Sequence, residues 1–286
     1  MVNEKTREDP YLKDDRIQTL KDWLSQIQGY KREKRGRIIS ICNQKGGVGK
    51  TVTAINLSAF LAAYRQRTLL MDLDPQGHCG LGLGIDVDTL DKSIYDTLSN
   101  GARSFSDTIL PIKPHLDILP ANIDLAGLET ELANDSQRST RLLDRLKSIQ
   151  HLYEYIIIDC PPSIGLLTIN ALVASRMVII PVQSAFFSLH GLERIVETIG
   201  TLMETLSLDI KVYLLITLFE ARLRESWIVR DKVRSAFGKH LLKTVIRKNT
   251  RINEATRRGI SILEYESRSM GCFDYHHLAK EIMEIE

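Results

Sequence analysis

Cysteine is scarce in this chain. Its four thiols, at positions 42, 79, 160 and 272 of 286 residues, form no CxxC pair and no metal-ligand spacing, which excludes a disulfide-built scaffold and a zinc module. Aromatic residues make up only 6%, and 8 Pro with 17 Gly is ordinary usage, so collagen-like and low-complexity chains are excluded. No apolar run approaches the roughly 18–20 residues that span a bilayer. The opening stretch MVNEKTREDPYLKDD has no apolar segment of the signal-peptide kind. The expectation is a cytoplasmic protein with reduced thiols. What the chain does have is 43% apolar and 26% charged residues, enough to bury a full core.

The net charge of +2 hides an asymmetry. Residues 211–258 hold 13 Lys/Arg against 4 Asp/Glu, a local excess of +9, and residues 1–37 add +3 (10 against 7). The rest of the chain sums to −10. Two basic regions on an acidic body point to a face for a polyanion, against the blander reading of a solvated surface.

Short apolar, β-branched runs recur at Arg37–Asn43, Thr68–Asp72, Leu116–Leu119, Tyr155–Asp159, Met177–Pro181 and Val212–Leu218. Runs of this kind suit parallel strands covered on both faces. Helical stretches lie between them near 50–65, 139–150, 164–174, 187–206 and 226–238. The alternation predicts an α/β fold: a doubly wound, mostly parallel sheet flanked by helices, spanning 37–286. Residues 1–36 read as a separate extension. Ile17, Leu20, Leu24 and Ile27 recur at three- and four-residue spacing, which predicts an amphipathic helix over Asp14–Tyr30, followed by a basic link through Arg37.

Directly after the first strand stands Gln44-Lys45-Gly46-Gly47-Val48-Gly49-Lys50-Thr51, and then the helical run VTAINLSAFLAAY. A nucleoside triphosphate needs this order. Glycines let backbone N–H groups curl around the phosphates, and the helix N-terminus adds partial positive charge. Lys50 is placed to neutralise the β and γ phosphates, and the Thr51 hydroxyl to ligate Mg²⁺. The strict pattern GxxxxGK[ST] fails at its first position, Gln44, and a second lysine, Lys45, precedes the glycines.

KGGVGKT resembles the deviant Walker A loop of the ParA/MinD ATPases, and the P-loop NTPase fold follows from that resemblance. It extends through LLMDLDPQGHCGLGLG, YIIIDCPPSIGLLTINAL, FFSLHGLERIVETI and VIRKNTRINEATRRGISILEY, which read like ParA/Soj segments over roughly 37–280. The resemblance implies that Lys45 reaches the partner subunit's nucleotide across an ATP-dependent homodimer, with Lys45, Lys50 and Asp74 in the catalytic set. The loop residues Lys45 through Val52 would hold ATP, with Gly46, Gly47, Val48 and Gly49 cradling its phosphates. Val52 departs from many members, which carry a second threonine there; its N–H can still serve the α phosphate. Asp74 falls in the first switch, where it would orient the attacking water. Asp159, at the Walker B-like strand end, would support Mg²⁺ with Thr51. Asp72 is open to either a structural or a metal-site role. His78, Cys79, His190 and the His276-His277 pair show no ligand spacing and are read as ordinary surface or core residues.

Within the basic segment, Arg222, Arg247, Lys248 and Arg251 are the candidate DNA contacts; arginines at positions like Arg222 and Arg251 touch DNA without reading sequence in the ParA/Soj family. Phosphate contacts of this type make binding strongly salt-dependent. No helix-turn-helix pattern occurs in the first 36 residues, so operator-specific reading is not expected. The implied partners are nonspecific double-stranded DNA, a second copy of the chain, and a ParB-like or other cargo adaptor that stimulates hydrolysis on the nucleoid. The alternatives are a MinD-like membrane-associated ATPase and a P-loop enzyme acting on a small substrate. The membrane alternative suffers from the C-terminus, where three glutamates fall in the last six residues and would be repelled by anionic lipid.

Overall fold

The computed structural model describes residues 36–184 and 188–285. The expected N-terminal helix over Asp14–Tyr30 lies outside them. Eight strands form one sheet in the order β3-β4-β2-β5-β1-β6-β7-β8. They are β1 (Arg37–Ile41), β2 (Thr68–Asp72), β3 (Leu110–Lys113), β4 (Leu116–Leu119), β5 (Tyr155–Asp159), β6 (Met177–Gln183), β7 (Lys211–Phe219) and β8 (Leu241–Arg247). Every pairing is parallel except β3 with β4. The helices used below are α1 (Lys50–Ala63), α2 (His78–Leu81), α3 (Leu166–Ala174), α4 (Ser188–Leu206), α5 (Arg224–Phe237), α6 (Thr250–Arg257) and α7 (Met270–Glu284). The expected doubly wound α/β fold is the observed one.

The central strands are apolar at nearly every position because their alternate side chains feed two separate cores. Ile38, Leu69, Met71, Ile156 and Ile158 point into one layer. Ile39, Ile41, Leu70, Ile157 and Ile179 point into the other. Burial on both faces removes the polar half of the usual strand alternation. Helix α1 is buried on almost all sides, from Thr53 to Ala62, because α7 covers the flank that the sheet does not. The Asn56 side chain secures that layer by accepting the Ile262 N–H at 2.9 Å.

Two edge strands escape the sequence pattern. In β8 the run LLKTVIR is broken by Lys243 and Thr244, since a strand with one neighbour leaves part of its surface to water. At the opposite edge β3 carries Pro111, which lacks a donor and is tolerated only where no further strand pairs. Strand β1 lies between β5 and β6; the chain crosses from β1 past β5 to β2, and later from β5 past β1 to β6. The crevice at the carboxyl end of β1 is where open α/β sheets hold ligands.

Candidate functional site: a phosphate loop beside two buried carboxylates

The loop leaving β1 is shaped for an anion. Gly47 and Gly49 take left-handed φ values of 72° and 90°, which side chains rarely adopt. A Cβ at Gly46, Gly47 or Gly49 would meet no atom within 4 Å, so open space lies where phosphate oxygens would sit. Gly49 caps α1 with no side-chain hydrogen bond, leaving the first-turn N–H groups of that helix free for a ligand. The loop is anchored from outside: Thr217 Oγ1 donates to the Val48 carbonyl at 2.8 Å, and Asn43 accepts the Lys45 N–H at 3.0 Å. Asn43 itself donates to the Pro181 carbonyl at 2.7 Å.

The two lysines have different surroundings. Lys50 is 7% exposed and its ammonium donates back to the Lys45 carbonyl at 3.3 Å, curled over the loop. Lys45 is exposed, with its ammonium 3.1 Å from Gln183 Oε1 at the end of β6.

Asp72 and Asp159 end β2 and β5 in register and are both fully buried. Burial pushes the Asp159 carboxyl up to about 7, opposed by the nearby Thr51 hydroxyl, the Cys79 thiol and the charge of Lys50. Burial, then the Asp159 charge, drives Asp72 upward as well, although it accepts the Asp74 N–H at 3.0 Å and the Cys79 N–H at 2.9 Å. Asp159 Oδ1 is buried with no partner. A buried, unsatisfied carboxylate oxygen beside the Thr51 hydroxyl is the donor chemistry a hard divalent cation requires, so these residues fit Mg²⁺. Asp74 is half-buried in the turn after β2, where its Oδ1 accepts the Gln76 N–H at 3.1 Å.

Behind the loop opens a cavity of about 420 Å³ lined by Lys50, Val52, Thr217, Leu218, Asn249, Asn253 and Tyr275, among others. Sequence reasoning missed this part of the site. Leu218 stands at φ 51° where the β7–β8 register slips, a conformation invisible in its apolar run VYLLITL. Tyr275 arrives from α7 and meets Thr53 Oγ1 at 3.3 Å, a contact across 222 residues. The one local signal was Asn249, a good N-cap, whose side chain accepts the Arg251 N–H at 2.9 Å.

The basic residues gather at the carboxyl ends of β7 and β8, next to this cavity. Arg222 is exposed. Lys248 and Arg251 have side chains 62% and 53% exposed, in surface pairs with Glu220 and Glu254. Arg247 differs: its guanidinium binds Asp274, which is 4% exposed and also accepts the Arg247 N–H at 2.9 Å.

A phosphate loop at the carboxyl edge of a parallel sheet, with carboxylates ending two adjacent strands, defines a P-loop nucleotide-binding protein. The profile of the AAA domain family matches residues 36–212. The chain is 44% identical over 250 residues to the chromosome partitioning protein ParA of Myxococcus xanthus, covering 87% of this chain and 88% of that one. It is 43% identical over 248 residues to the sporulation initiation inhibitor protein Soj of Bacillus subtilis, covering 86% and 98%. In structure it resembles a cobyrinic acid a,c-diamide synthase from Mycobacterium smegmatis with bound ADP and magnesium, at TM-score 0.77 and 32% identity, over 87% of this chain and 94% of that one. The chain belongs to the ParA/Soj family of P-loop ATPases.

Proposed function

We propose that this protein is an ATP-dependent dimerising ATPase that binds DNA without reading its sequence and positions a chromosome, plasmid or protein cargo. The carrying observation is a shared edge: Lys248 lines the nucleotide cavity and stands with Arg222 and Arg251 at the ends of β7 and β8. Nucleotide state and DNA affinity are thereby controlled from one rim of the sheet.

ATP would lay its phosphates along the open loop, with Lys50 and the free N–H groups of α1 holding the β and γ groups. Bound Mg²⁺, held by Thr51 with Asp159 behind it, supplies charge neutralisation on the phosphates. Asp74 would accept a hydrogen bond from the attacking water and orient it; as the water oxygen bonds to the γ phosphorus, the bond to the β-phosphate oxygen breaks, the water proton passes to the released phosphate, and ADP and phosphate leave. Lys45 exchanges Gln183 for the nucleotide of a second subunit. Facing subunits join two basic edges into one footprint. Release follows hydrolysis, accelerated by a ParB-like adaptor. Of the candidate contacts, Arg222, Lys248 and Arg251 serve phosphates directly, while Arg247 holds β8 to α7 through Asp274.

The membrane alternative is disfavoured by α7, whose apolar residues Leu278, Ala279 and Ile282 are fully buried in the core and are spent on packing, not on lipid. Among the described residues no helix is long and apolar enough to cross a membrane. DNA retention and liposome sedimentation, each with ATP and with ADP, separate the readings. ATP-dependent retention on unrelated duplexes without sedimentation is expected; sedimentation without retention overturns the proposal.

A further inference from the structure

Three fully buried groups converge at the ends of β2 and β5: Asp72, Asp159 and Cys79, the last from α2, with ligand atoms within 4.8 Å of one another. Both oxygens of Asp72 are already committed, to the N–H groups of Asp74 and Cys79 at 3.0 and 2.9 Å. The Cys79 thiol donates to Asp159 Oδ2 at 3.4 Å, which leaves Oδ1 as the unpartnered oxygen of the trio. The cluster is therefore a hydrogen-bond junction with one free valence rather than a closed three-ligand metal site.

Cys79 is the only member of that trio that touches both carboxylates through different atoms. Its backbone binds the strand that leads into Asp74, and its side chain binds the strand that carries the Mg²⁺-supporting carboxylate. We propose that Cys79 is a positioning residue, whose thiol orients the Asp159 carboxylate and couples occupancy at Oδ1 to the Asp74 turn. This rests on the reading of Asp159 and Asp74 given above. The turn between them is held independently of the thiol. Gly77 sits at φ 64°, where an added Cβ would lie 2.8 Å from the Ala121 carbonyl, and the Gly77 N–H donates to the Asp74 carbonyl at 2.9 Å. Removing the thiol thus deletes one donor and leaves the backbone path in place.

The test uses full-length wild type, Cys79→Ala and Cys79→Ser. Mg²⁺ is titrated calorimetrically into protein saturated with a non-hydrolysable ATP analogue, and steady-state hydrolysis is measured against ATP. Loss of a hydrogen bond to a charged group predicts that Cys79→Ala weakens Mg²⁺ binding and lowers kcat by roughly tenfold each. Its KM for ATP should stay within about twofold, since phosphate contacts are untouched. Cys79→Ser, which keeps an O–H donor at nearly the same place, should recover most of both losses. Wild-type Mg²⁺ affinity and kcat in Cys79→Ala overturns the role, as does a Cys79→Ser protein as impaired as Cys79→Ala, which would make the residue a packing element. Wild-type protein that binds no nucleotide overturns the reading of the site itself, and the positioning role with it.

Discussion

Lys45 and Lys50 share one loop, yet burial gives them separate work. Lys50 is folded over the loop and aimed inward, so Lys50→Ala should weaken ATP binding by roughly 10–100-fold, the worth of a charge-assisted contact to phosphate. Isothermal titration with ATP checks it; unchanged affinity would remove the phosphate-loop assignment. Among the described residues the Lys45 ammonium donates to Gln183 and points away from the loop, so Lys45→Ala should spare ATP affinity in dilute monomer and weaken ATP-dependent dimerisation in sedimentation velocity runs. The Asp74 side-chain oxygen accepts from Gln76 in its own turn, in a segment separate from the phosphate loop. Asp74→Ala should therefore bind ATP and dimerise while its kcat falls about 100-fold or more. Size-exclusion chromatography with ATP should show a persistent dimer, and a monomeric Asp74→Ala protein would contradict the role assigned to Asp74. At this scale the chemistry-bearing loop was legible because its residue types are adjacent in the chain. Gln183, Thr217 and Cys79 were not, because each acts through a contact made only after strands far apart in sequence are paired.

Between elements, Arg247 illustrates how a basic residue changes meaning once its neighbours are known. In the chain it stands beside Lys248 as one more positive charge. In the fold its backbone and guanidinium both bind Asp274, clamping β8 to α7 beside the cavity. Asp274→Ala should cost about 2 kcal/mol, less than the roughly 3–5 kcal/mol of a fully buried pair, because the guanidinium keeps contact with water. The urea midpoint should fall accordingly, with Asp274→Asn in between because it retains a neutral acceptor. A midpoint unchanged in Asp274→Ala would make the pair a surface contact. Strands β1, β2 and β5 were readable as apolar runs because both their faces are buried. Strands β3 and β8 were not, since an edge position admits Pro111 at one end of the sheet and Lys243 at the other.

Over the whole molecule, part of the +9 segment, Arg222, Arg247, Lys248 and Arg251, comes together past the carboxyl ends of β7 and β8, where Arg247 and Lys248 line the cavity. Arg222→Glu or Arg251→Glu should weaken DNA binding and leave ATP-dependent dimerisation intact, because both side chains stand exposed and outside the phosphate loop. Each lost phosphate contact should lower the slope of log affinity against log salt by about 0.9 on duplex DNA. Dimerisation joins two rims, so the wild-type slope should be steeper with ATP than with ADP, and equal for unrelated duplexes. Binding titrations across several salt concentrations measure all of this. Unchanged affinity and slope in both charge reversals would make the rim a solvated surface.

By itself the sequence determined the fold class, the phosphate loop and the strand-end carboxylates, because each is encoded locally: apolar runs, glycines at left-handed positions, and aspartates ending a strand. Only the tertiary structure decided which groups share a site. Parallel pairing set Asp72 beside Asp159 across 87 residues of chain and left one oxygen unpaired. Packing of α7 on α1 brought Tyr275 to the cavity and took Leu278, Ala279 and Ile282 out of solvent. Long-range contacts of this kind leave no periodic trace, since they depend on how strands are ordered in the sheet and not on the spacing of residues along any one of them.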